Sequence, residues 1–534
     1  MPRLLLVSIF MLIFSGCAVT KVTESGLDQP VQGDAQFPAL LKYQPELFAL
    51  QNRVDDKLEN VWDRIRTGFT LPYQNHIRVE RQLKWYASHP EYMNRVAERA
   101  RPYMHYIIET LEANKIPSEL ALLPIVESAF KPFAYSHGRA SGIWQFIPST
   151  GKRFGLKQNW WYDGRRDVYA ATQSAVKLLN NLSAQFKGDW MLALAAYNSG
   201  SGTVKKAIRR NKLRGKPTDF WSLDLPKETR AYVPKLLALK EIIMNPQQHG
   251  ISLQAIPNEP YFDVVDVGSQ IDLAMAAELA EIELEELYQL NPGYNRWATS
   301  PNGPHYLLLP VDKADTFNER LAEIPAAKRI KWIRHRIRDG ETLSTIANRY
   351  HVSTSTIKRM NSIRGSFLKA GRSLTIPVAS QSLRKYTLSA NQRQNKLQNT
   401  PRKGVKVTHI VQAGDTFWDL ARTHRVGVRQ LARWNGMAPT DRLSQGQRLV
   451  IWSRTGKTIS HNDVMDIDIP ARDAVTQRIG YRVRNGDSLA RIADKFRVSI
   501  SQLKRWNKKL SLEKYLQPGQ HLTLFVDVMK QSGT

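Results

Sequence analysis

The sequence contains one cysteine among 534 residues, so it has neither an internal disulfide nor a thiolate zinc cluster. The 12 histidines show no HExxH pattern and no other paired-ligand spacing. The apolar run Leu4–Phe14, broken only by Ser8, is shorter than the about 20 apolar residues that a membrane-spanning helix needs. We therefore expect no bound metal, no cofactor and no spanning helix at the N-terminus.

Acidic residues are scarce in the C-terminal part of the chain. From Lys331 onward there are 38 basic and 13 acidic residues, whereas the first 330 residues hold 39 basic and 35 acidic ones. A near-neutral front joined to a basic tail excludes an evenly basic enzyme, and 13 Trp argue against general disorder. Basic stretches that contain Trp434 and Trp506 are also compatible with nucleic acid. The N-terminal signal described next makes an anionic polymer outside the cytoplasm the expected partner, and we expect no nucleic acid.

The N-terminus has the pattern of a secretory signal. Arg3 gives a basic flank, the apolar run follows, and small residues stand before Cys17. This arrangement resembles the bacterial lipobox, although the family prefers Leu where this chain has Phe14. The resemblance implies that Cys17 is lipidated and anchors the chain to the outer membrane, facing the periplasm. An ordinary signal with an incidental cysteine is the alternative.

The rest of the chain divides by its apolar periodicity. Residues 47–67 and then 81–245 show helical spacing, whereas later segments alternate between strand and helix patterns. The linkers 379–405 and 454–478 lack periodicity and should be mobile. The expected divisions are a signal at 1–16, a tether and helical segment at 17–80, a mainly α domain at 81–245, a degenerate module at 261–312, and modules at 334–378, 408–453 and 480–527.

The three C-terminal modules share a fixed spacing. Gly340, Gly414 and Gly486 are each followed 21 residues later by an asparagine, namely Asn361, Asn435 and Asn507. The residue pattern of each unit predicts a strand, two helices and a closing strand. The asparagine is expected to end the second helix in the left-handed conformation. These βααβ modules resemble LysM domains, which implies binding to N-acetylglucosamine-containing glycans, chiefly peptidoglycan. The segment 261–312 resembles an acidic, degenerate copy, for which we expect a structural role.

Glu127 is the candidate for chemistry in the helical domain. In the segment PSELALLPIVESAF, Leu120, Leu123, Glu127 and Phe130 share one helix face, so burial should raise the pKa of this carboxyl. A raised pKa suits a general acid near neutral pH. Pro124 should kink the helix. A solvated or salt-bridged glutamate at a helix end is the alternative.

Three downstream motifs give Glu127 a context. AYSHGRASGIWQFIPSTGKRFGL, DWMLALAAYNSGSG and ETRAYVPKL follow in this order. Together with the ES pair at 127–128 they resemble the family 1 soluble-lytic-transglycosylase domain, whose fold is lysozyme-like. The resemblance implies that Glu127 is the catalytic acid and base. It further implies that the substrate groove contains Ser128, Ser136, Trp144, Gln145, Tyr197, Asn198, Glu228 and Tyr232. Trp144 departs from the family, which has GLMQ where this chain has GIWQF.

The resemblance implies a multidomain peptidoglycan lytic transglycosylase, with a mainly α lysozyme-like domain followed by small α+β modules. It would act in cell-wall remodelling, as a monomer, and would release 1,6-anhydromuramoyl sugars. A muramidase-type hydrolase of the same fold is one alternative, and it would need a second carboxylate such as Asp163, Asp167 or Asp189. An inactive wall-binding scaffold is another. Removing residues 331–534 is expected to weaken wall retention yet leave some cleavage.

Overall fold

The computed structural model describes residues 58–453 and, beyond them, 476–483, 487–489, 492–493, 496, 498, 502–503, 506–507, 516–517 and 519–527. The expected signal at 1–16, Cys17 and the tether as far as residue 57 lie outside these residues. Residues 454–475 of the second linker also lie outside the described residues. The chain divides into two compact units, of which the first ends at Gln392 and the second contains the residues from Arg393 onward together with the short segment His137–Arg139.

Ten α-helices precede the first strand among the described residues. Several begin at side chains that accept the free amides of the first turn, such as Asn60, Asp167 and Asp189. The helices are α1 Val61–Thr67, α2 Ile77–Ala87, α3 Pro90–Ala100, α4 Met104–Ala113, α5 Leu123–Ser128, α6 Pro148–Arg153, α7 Val168–Gln185, α8 Trp190–Ser199, α9 Ser201–Lys212 and α10 Lys227–Met244. Short 3-10 turns lie at Ser118–Leu122, Phe220–Ser222 and Gln247–His249.

The segment around Glu127 is two short helices rather than one kinked helix. The 3-10 turn Ser118–Leu122 leads into α5, and Pro124 lies in the first turn of α5, where its missing amide leaves no hydrogen bond unmade. Helix α5 ends at Ala129, whose φ of 50° is left-handed. Glu127 therefore occupies the last turn of a short helix, directly before a loop.

The core of the helical domain begins earlier in the chain than expected. Val61, Trp62 and Ile65 of α1 are fully buried in the same cluster as the residues of α4, α7 and α10. The buried Arg64 donates to Glu112 across 2.6 Å and anchors α1 to α4. Burying α1 removes its apolar surface from water, which stabilises the domain. From residue 58 onward, the helical segment expected within 17–80 thus packs into the core of the helical domain.

The remaining elements form four two-stranded antiparallel sheets, each built from the first and last strand of one module. Each fully described module has two helices between its strands, as expected, and the segment 261–312 has this βααβ order too. The strands are β1 Phe262–Asp266, β2 Tyr306–Pro310, β3 Lys331–Arg336, β4 Ser373–Val378, β5 Val405–Ile410, β6 Arg448–Ser453, β7 Thr476–Arg482 and β8 His521–Asp527. The helices are α11 Leu273–Ala280, α12 Leu284–Leu290, α13 Val311–Ala322, α14 Leu343–Tyr350, α15 Thr354–Met360, α16 Ala390–Asn399, α17 Phe417–Thr423 and α18 Val428–Trp434.

The repeated asparagine does not adopt the left-handed conformation that we expected. Its φ is −114° at Asn361 and −105° at Asn435. Instead its side chain joins the helix end to the closing strand. Asn435 accepts from the amide of Val450 at 2.7 Å and donates to the carbonyls of Leu431 and Val450. The same three bonds occur at Asn291, Asn361 and Asn507, so the fixed spacing reflects an amide bridge between the second helix and the closing strand.

The linker 379–405 was expected to be mobile, and the structure contradicts this. It contains helix α16, and the fully buried Tyr386 donates its hydroxyl hydrogen bond to Asp272 at 2.9 Å. Gln398 is also buried and donates to Asn435. Single buried side chains hold this linker, and apolar periodicity cannot detect them.

A second apolar core joins three parts of the first unit. It contains Trp161 and Tyr162 of the helical domain, Leu273 of the degenerate module, and Ile346 and Ile376 of the first LysM-like repeat. The indole of Trp161 also donates to Thr356 at 3.2 Å. The unit that ends at Gln392 is therefore held together by shared apolar burial.

Within the described residues, no helix is long and apolar enough to cross a membrane.

Candidate active site

Glu127 is half-buried, and its surroundings make its carboxyl a weaker acid than usual. The pKa of Glu127 is raised to about 7, mainly by burial and to a lesser extent by the negative charge of Glu228. The Tyr232 hydroxyl donates to Oε1 at 2.6 Å, which lowers the pKa, as does the positive charge of Lys235. The net result is a carboxyl that exchanges a proton near neutral pH.

The loop from 134 to 147 is fixed to the end of α5. Ser128 donates its hydroxyl hydrogen bond to the carbonyls of Pro124 and Ile143 at 3.1 and 3.0 Å. Ser136 exchanges two bonds with Ala140, one from its backbone amide and one to its hydroxyl. Ser128 and Ser136 thus hold backbone in this structure, which restrains the loop beside Glu127.

Trp144 lies in the core and not on the surface of a groove. Its side chain is fully buried, and its indole NH donates to Thr172 of α7 at 3.0 Å. A sugar cannot stack on a ring that solvent does not reach. The sequence motif did not reveal this, because one aromatic residue in an irregular loop has no periodicity that indicates its direction.

The backbone at Trp144 and Gln145 faces α8. The carbonyl of Trp144 accepts from the Tyr197 hydroxyl at 2.8 Å. Gln145 has a φ of 50° and donates its side-chain amide to the carbonyl of Gly142. Burial raises the pKa of Tyr197 well above its usual value, and the charge of Glu127 adds to this rise, so the two groups are neighbours. The Tyr197 hydroxyl is therefore a neutral donor that supports the loop.

Helix α10 supplies the other side of the site. Tyr232 is buried against Glu127, whereas Glu228, one turn earlier, is exposed. Thr229 is buried and donates to the side-chain oxygen of Asn198 at 2.8 Å, which orients the amide of Asn198 at the end of α8. Sequence reasoning did not single out Thr229, although it lies between Glu228 and Tyr232 in the motif ETRAY.

The three aspartates considered as a second carboxylate have other partners. Asp163 is buried, which raises its pKa, but the bonds of 2.9 and 2.8 Å from the Arg165 guanidinium and the charges of Arg165 and Arg166 together outweigh burial and lower the pKa. Asp167 is buried and accepts from Tyr162 and Tyr306. Asp189 caps α8 by accepting from Leu192. None of these carboxylates is arranged as a free base.

Among the described residues, no three His, Cys, Asp or Glu side chains are grouped so as to hold a metal ion.

Three family models match five segments of the chain. The transglycosylase SLT domain matches residues 105–220. The LysM-like domain of lytic transglycosylase MltD matches 261–326. The LysM domain matches 335–377, 409–452 and 481–525.

Individual known proteins are similar to parts of the chain. The chain is 39% identical over 402 residues to the membrane-bound lytic murein transglycosylase D of Escherichia coli strain K12, which covers 73% of this chain and 84% of that protein. It is 25% identical over 171 residues to the autolysin of Enterococcus faecalis, which covers 32% of this chain and 22% of that protein. An inactive mutant of the lytic transglycosylase Slt from Pseudomonas aeruginosa matches with a TM-score of 0.22 and 22% identity, over 28% of this chain and 24% of that one.

Proposed function

The chain belongs to the family of the membrane-bound lytic murein transglycosylase D, and from this membership we propose that Glu127 is the acid and base with which it cleaves peptidoglycan strands. The protein is a lytic transglycosylase of peptidoglycan turnover. The resemblance drawn from the ES pair and the three downstream motifs is thereby confirmed. The roles of the individual residues are our proposal.

One observation carries the assignment of Glu127. Burial raises the pKa of this carboxyl to about 7, while the Tyr232 hydroxyl at 2.6 Å stabilises its ionised form. A group with a pKa near the working pH can give up a proton in one step and accept one in the next. A single carboxyl can therefore serve as acid and then as base.

The proposed reaction breaks the bond between N-acetylmuramic acid and N-acetylglucosamine. Protonated Glu127 donates its proton to the glycosidic oxygen, which leaves with the bonding electron pair. The substrate's own 2-acetamido oxygen stabilises the positive centre at C1. The C6 hydroxyl then attacks C1, its proton passes to Glu127, and a 1,6-anhydro ring closes. The carboxyl ends protonated, as it began, and no water is consumed.

The occupied aspartates favour this reaction over hydrolysis. Glycosidases that hydrolyse normally place a second carboxylate about 5 to 9 Å from the acid. Asp163, Asp167 and Asp189 are engaged by an arginine, by two tyrosines and by a helix N-terminus, respectively. The exposed Glu228 affects Glu127 through its charge, so it is the carboxylate on which the hydrolase alternative depends.

The remaining polar groups divide into binding and support. We propose that Gln145, Asn198 and Glu228 contact the glycan, because their side chains are partly or fully accessible on the loop and the two helices that border Glu127. Trp144, Ser128, Ser136 and Tyr197 support the loop that presents Gln145.

The modules and the N-terminus would hold the enzyme on its polymer. The LysM matches at 335–377, 409–452 and 481–525 suggest peptidoglycan binding, and the family relationship suggests the cell envelope. Linked weak modules raise the effective concentration of the enzyme at its substrate. We further propose that Cys17 carries a lipid that anchors a monomer to the outer membrane, facing the periplasm. Radiolabelled fatty-acid incorporation into the full-length chain, lost in Cys17→Ser, tests the anchor.

Mass spectrometry of the sugars released from purified peptidoglycan tests the reaction. The chain from residue 18 should release anhydromuramoyl products, and Glu127→Gln should release none. Glu119→Gln is not a useful control because Glu119 is buried against Lys240, so the exposed Glu91→Gln serves instead. Products with a reducing end would favour the hydrolase. If neither the unmodified chain nor the variants release products, the result would favour a wall-binding scaffold.

A further inference from the structure

The degenerate module at 261–312 forms a hydrogen-bonded contact with residues 159–167 of the helical domain. The amide of Asp163 donates to the carbonyl of Gly293 at 2.8 Å, and the amide of Asn295 donates to the carbonyl of Trp161 at 2.7 Å. Arg166 donates to the carbonyl of Pro292 at 2.9 Å and to the side chain of Asn295. Backbone and side-chain bonds therefore run in both directions across this contact.

A buried aspartate joins the two parts at their centre. Asp167 accepts at one oxygen from Tyr162 at 2.7 Å and from Tyr306 of β2 at 2.8 Å. Its other oxygen accepts from the amide of Ala170 and caps α7. A buried carboxylate requires all of these donors, because leaving it short of partners is unfavourable. Tyr306 thus helps to fix the first turn of α7.

Helix α7 and the segment before it bear directly on the active-site loop. Thr172 of α7 accepts a hydrogen bond from the indole NH of Trp144, and the backbone carbonyl of Trp144 accepts one from the Tyr197 hydroxyl. Arg165 donates to the carbonyl of Phe146 at 3.2 Å. A Cβ at Gly142 would lie 1.9 Å from the carbonyl oxygen of Arg165, so the loop and this segment are in close backbone contact.

One connection of the module is buried, whereas its counterpart in the next module is exposed. The connection between its second helix and closing strand, residues 291–300, is almost entirely buried. The corresponding connection in the next module, residues 361–372, is mostly exposed. This connection therefore faces solvent in one copy of the βααβ unit and is buried in the other.

We propose that the degenerate module is a structural part of the active site, in which Tyr306 and Asn295 are positioning residues for the loop that carries Trp144 and Gln145. They act through Asp167 and Arg166 and do not touch the substrate. The proposal rests on the role proposed for Glu127, since that role defines the loop as part of a site. It assigns the module a function other than glycan binding.

Two tyrosines of the module provide a matched test. Tyr306→Phe removes the hydroxyl that reaches Asp167. Tyr294→Phe removes an equally buried hydroxyl, which donates to the carbonyl of Tyr306 inside the module. Both variants lose one buried hydrogen bond, so both should lower the melting temperature of the chain from residue 18 by similar amounts. Only the first interrupts the link to the active site.

The decisive readouts are turnover and amide exchange. We expect Tyr306→Phe to lower kcat roughly tenfold, because small displacements of a catalytic site are expensive in rate, and to raise KM modestly, because the displaced loop carries Gln145. Tyr294→Phe should keep kcat within about twofold of the unmodified chain. Hydrogen exchange measured by mass spectrometry should rise over 140–147 in Tyr306→Phe and not in Tyr294→Phe.

Asn295→Ala changes the second positioning residue, and it should raise hydrogen exchange over the same loop. The exchange measurement needs no substrate, so it tests the positioning role even if the proposed reaction is wrong. If the loop exchanges equally in all variants, or if both tyrosine variants lose turnover equally, the positioning role is overturned. An active Glu127→Gln would instead overturn the proposed function.

Discussion

The hydroxyl of Tyr232 lies 2.6 Å from Oε1 of Glu127 and donates to it, so it opposes the rise that burial causes in the pKa of this carboxyl. The two residues are 105 positions apart and belong to α10 and α5. Their contact explains how a carboxyl in an apolar setting keeps a pKa of about 7 and does not remain permanently protonated.

Tyr232→Phe should raise the pKa of Glu127, because the ionised carboxylate loses a donor. Activity requires protonated Glu127 at the start of the reaction. The alkaline limb of the pH profile of kcat/KM, where the rate falls as Glu127 ionises, should therefore move to higher pH by about one pH unit. At the old optimum the rate should fall roughly tenfold, since the ionised form is less well stabilised after proton transfer. Initial rates on a soluble glycan between pH 5 and 9 measure both effects. An unchanged alkaline limb would contradict the role of this bond.

Glu228→Gln should have the opposite effect on the limb. Removing the negative charge of Glu228 removes one cause of the raised pKa of Glu127, so the alkaline limb should move to lower pH. The products should remain anhydro sugars. If the variant loses most of its turnover while the residual activity keeps the same alkaline limb, Glu228 is a catalytic base and the hydrolase alternative gains support.

Thr229→Val should weaken substrate binding, because it replaces the hydroxyl that orients the side chain of Asn198. The isosteric valine keeps the buried volume but leaves the oxygen of Asn198 without this donor. The loss of this hydrogen bond costs about 1 kcal/mol. We expect KM for a soluble glycan to rise several-fold and Thr229→Ser to restore it. A similar KM in both variants would show that Asn198 needs no support from α10.

Glu127→Gln should stabilise the fold in a pH-dependent manner. The folded-state pKa of about 7 lies above the unfolded value of 4.5, so the folded state binds this proton more tightly. Stability that depends on the proton is complete below pH 4.5 and is lost as the pH rises through 7. Glutamine cannot ionise, so the variant should gain on the order of 3 kcal/mol over the unmodified chain at pH 8 and nothing at pH 4. Denaturant unfolding at both pH values measures this difference, and an equal gain at both would contradict the raised pKa.

Where the chain is cut should decide whether the enzyme survives. Removing residues 331–534 was expected to leave some cleavage, but the first repeat shares a core with Trp161 and Leu273. That cut would expose this core and should lower the melting temperature and the rate on soluble glycan. Removing only residues 393–534 keeps the first unit whole. This shorter cut should preserve turnover and reduce binding to whole peptidoglycan about tenfold or more.

Much of this architecture follows from the sequence. The helical patterns predicted α7 and α8, and the Gly-to-Asn spacing predicted the βααβ order of the modules, because both depend on short-range periodicity. The ES pair and the ETRAY motif also indicated Glu127 and Tyr232. Their 2.6 Å contact could not be derived from spacing, since it depends on how α5 packs against α10.

The failures share a physical cause. Trp144 was assigned to the groove, but its ring is buried against Thr172. Tyr386 holds a linker that was expected to move, and Tyr306 joins a module to α7 through Asp167. In each case one buried polar contact between distant residues decides the structure. Such a contact leaves no periodic signal in the sequence.

The most direct test of the account is cleavage of purified peptidoglycan in water enriched with heavy oxygen. If Glu127 acts alone as acid and base, the muramoyl products are anhydro sugars that are lighter by one water and contain no heavy oxygen. Products with a reducing end that carry heavy oxygen at C1 would show that water is the nucleophile. That result would contradict the central claim.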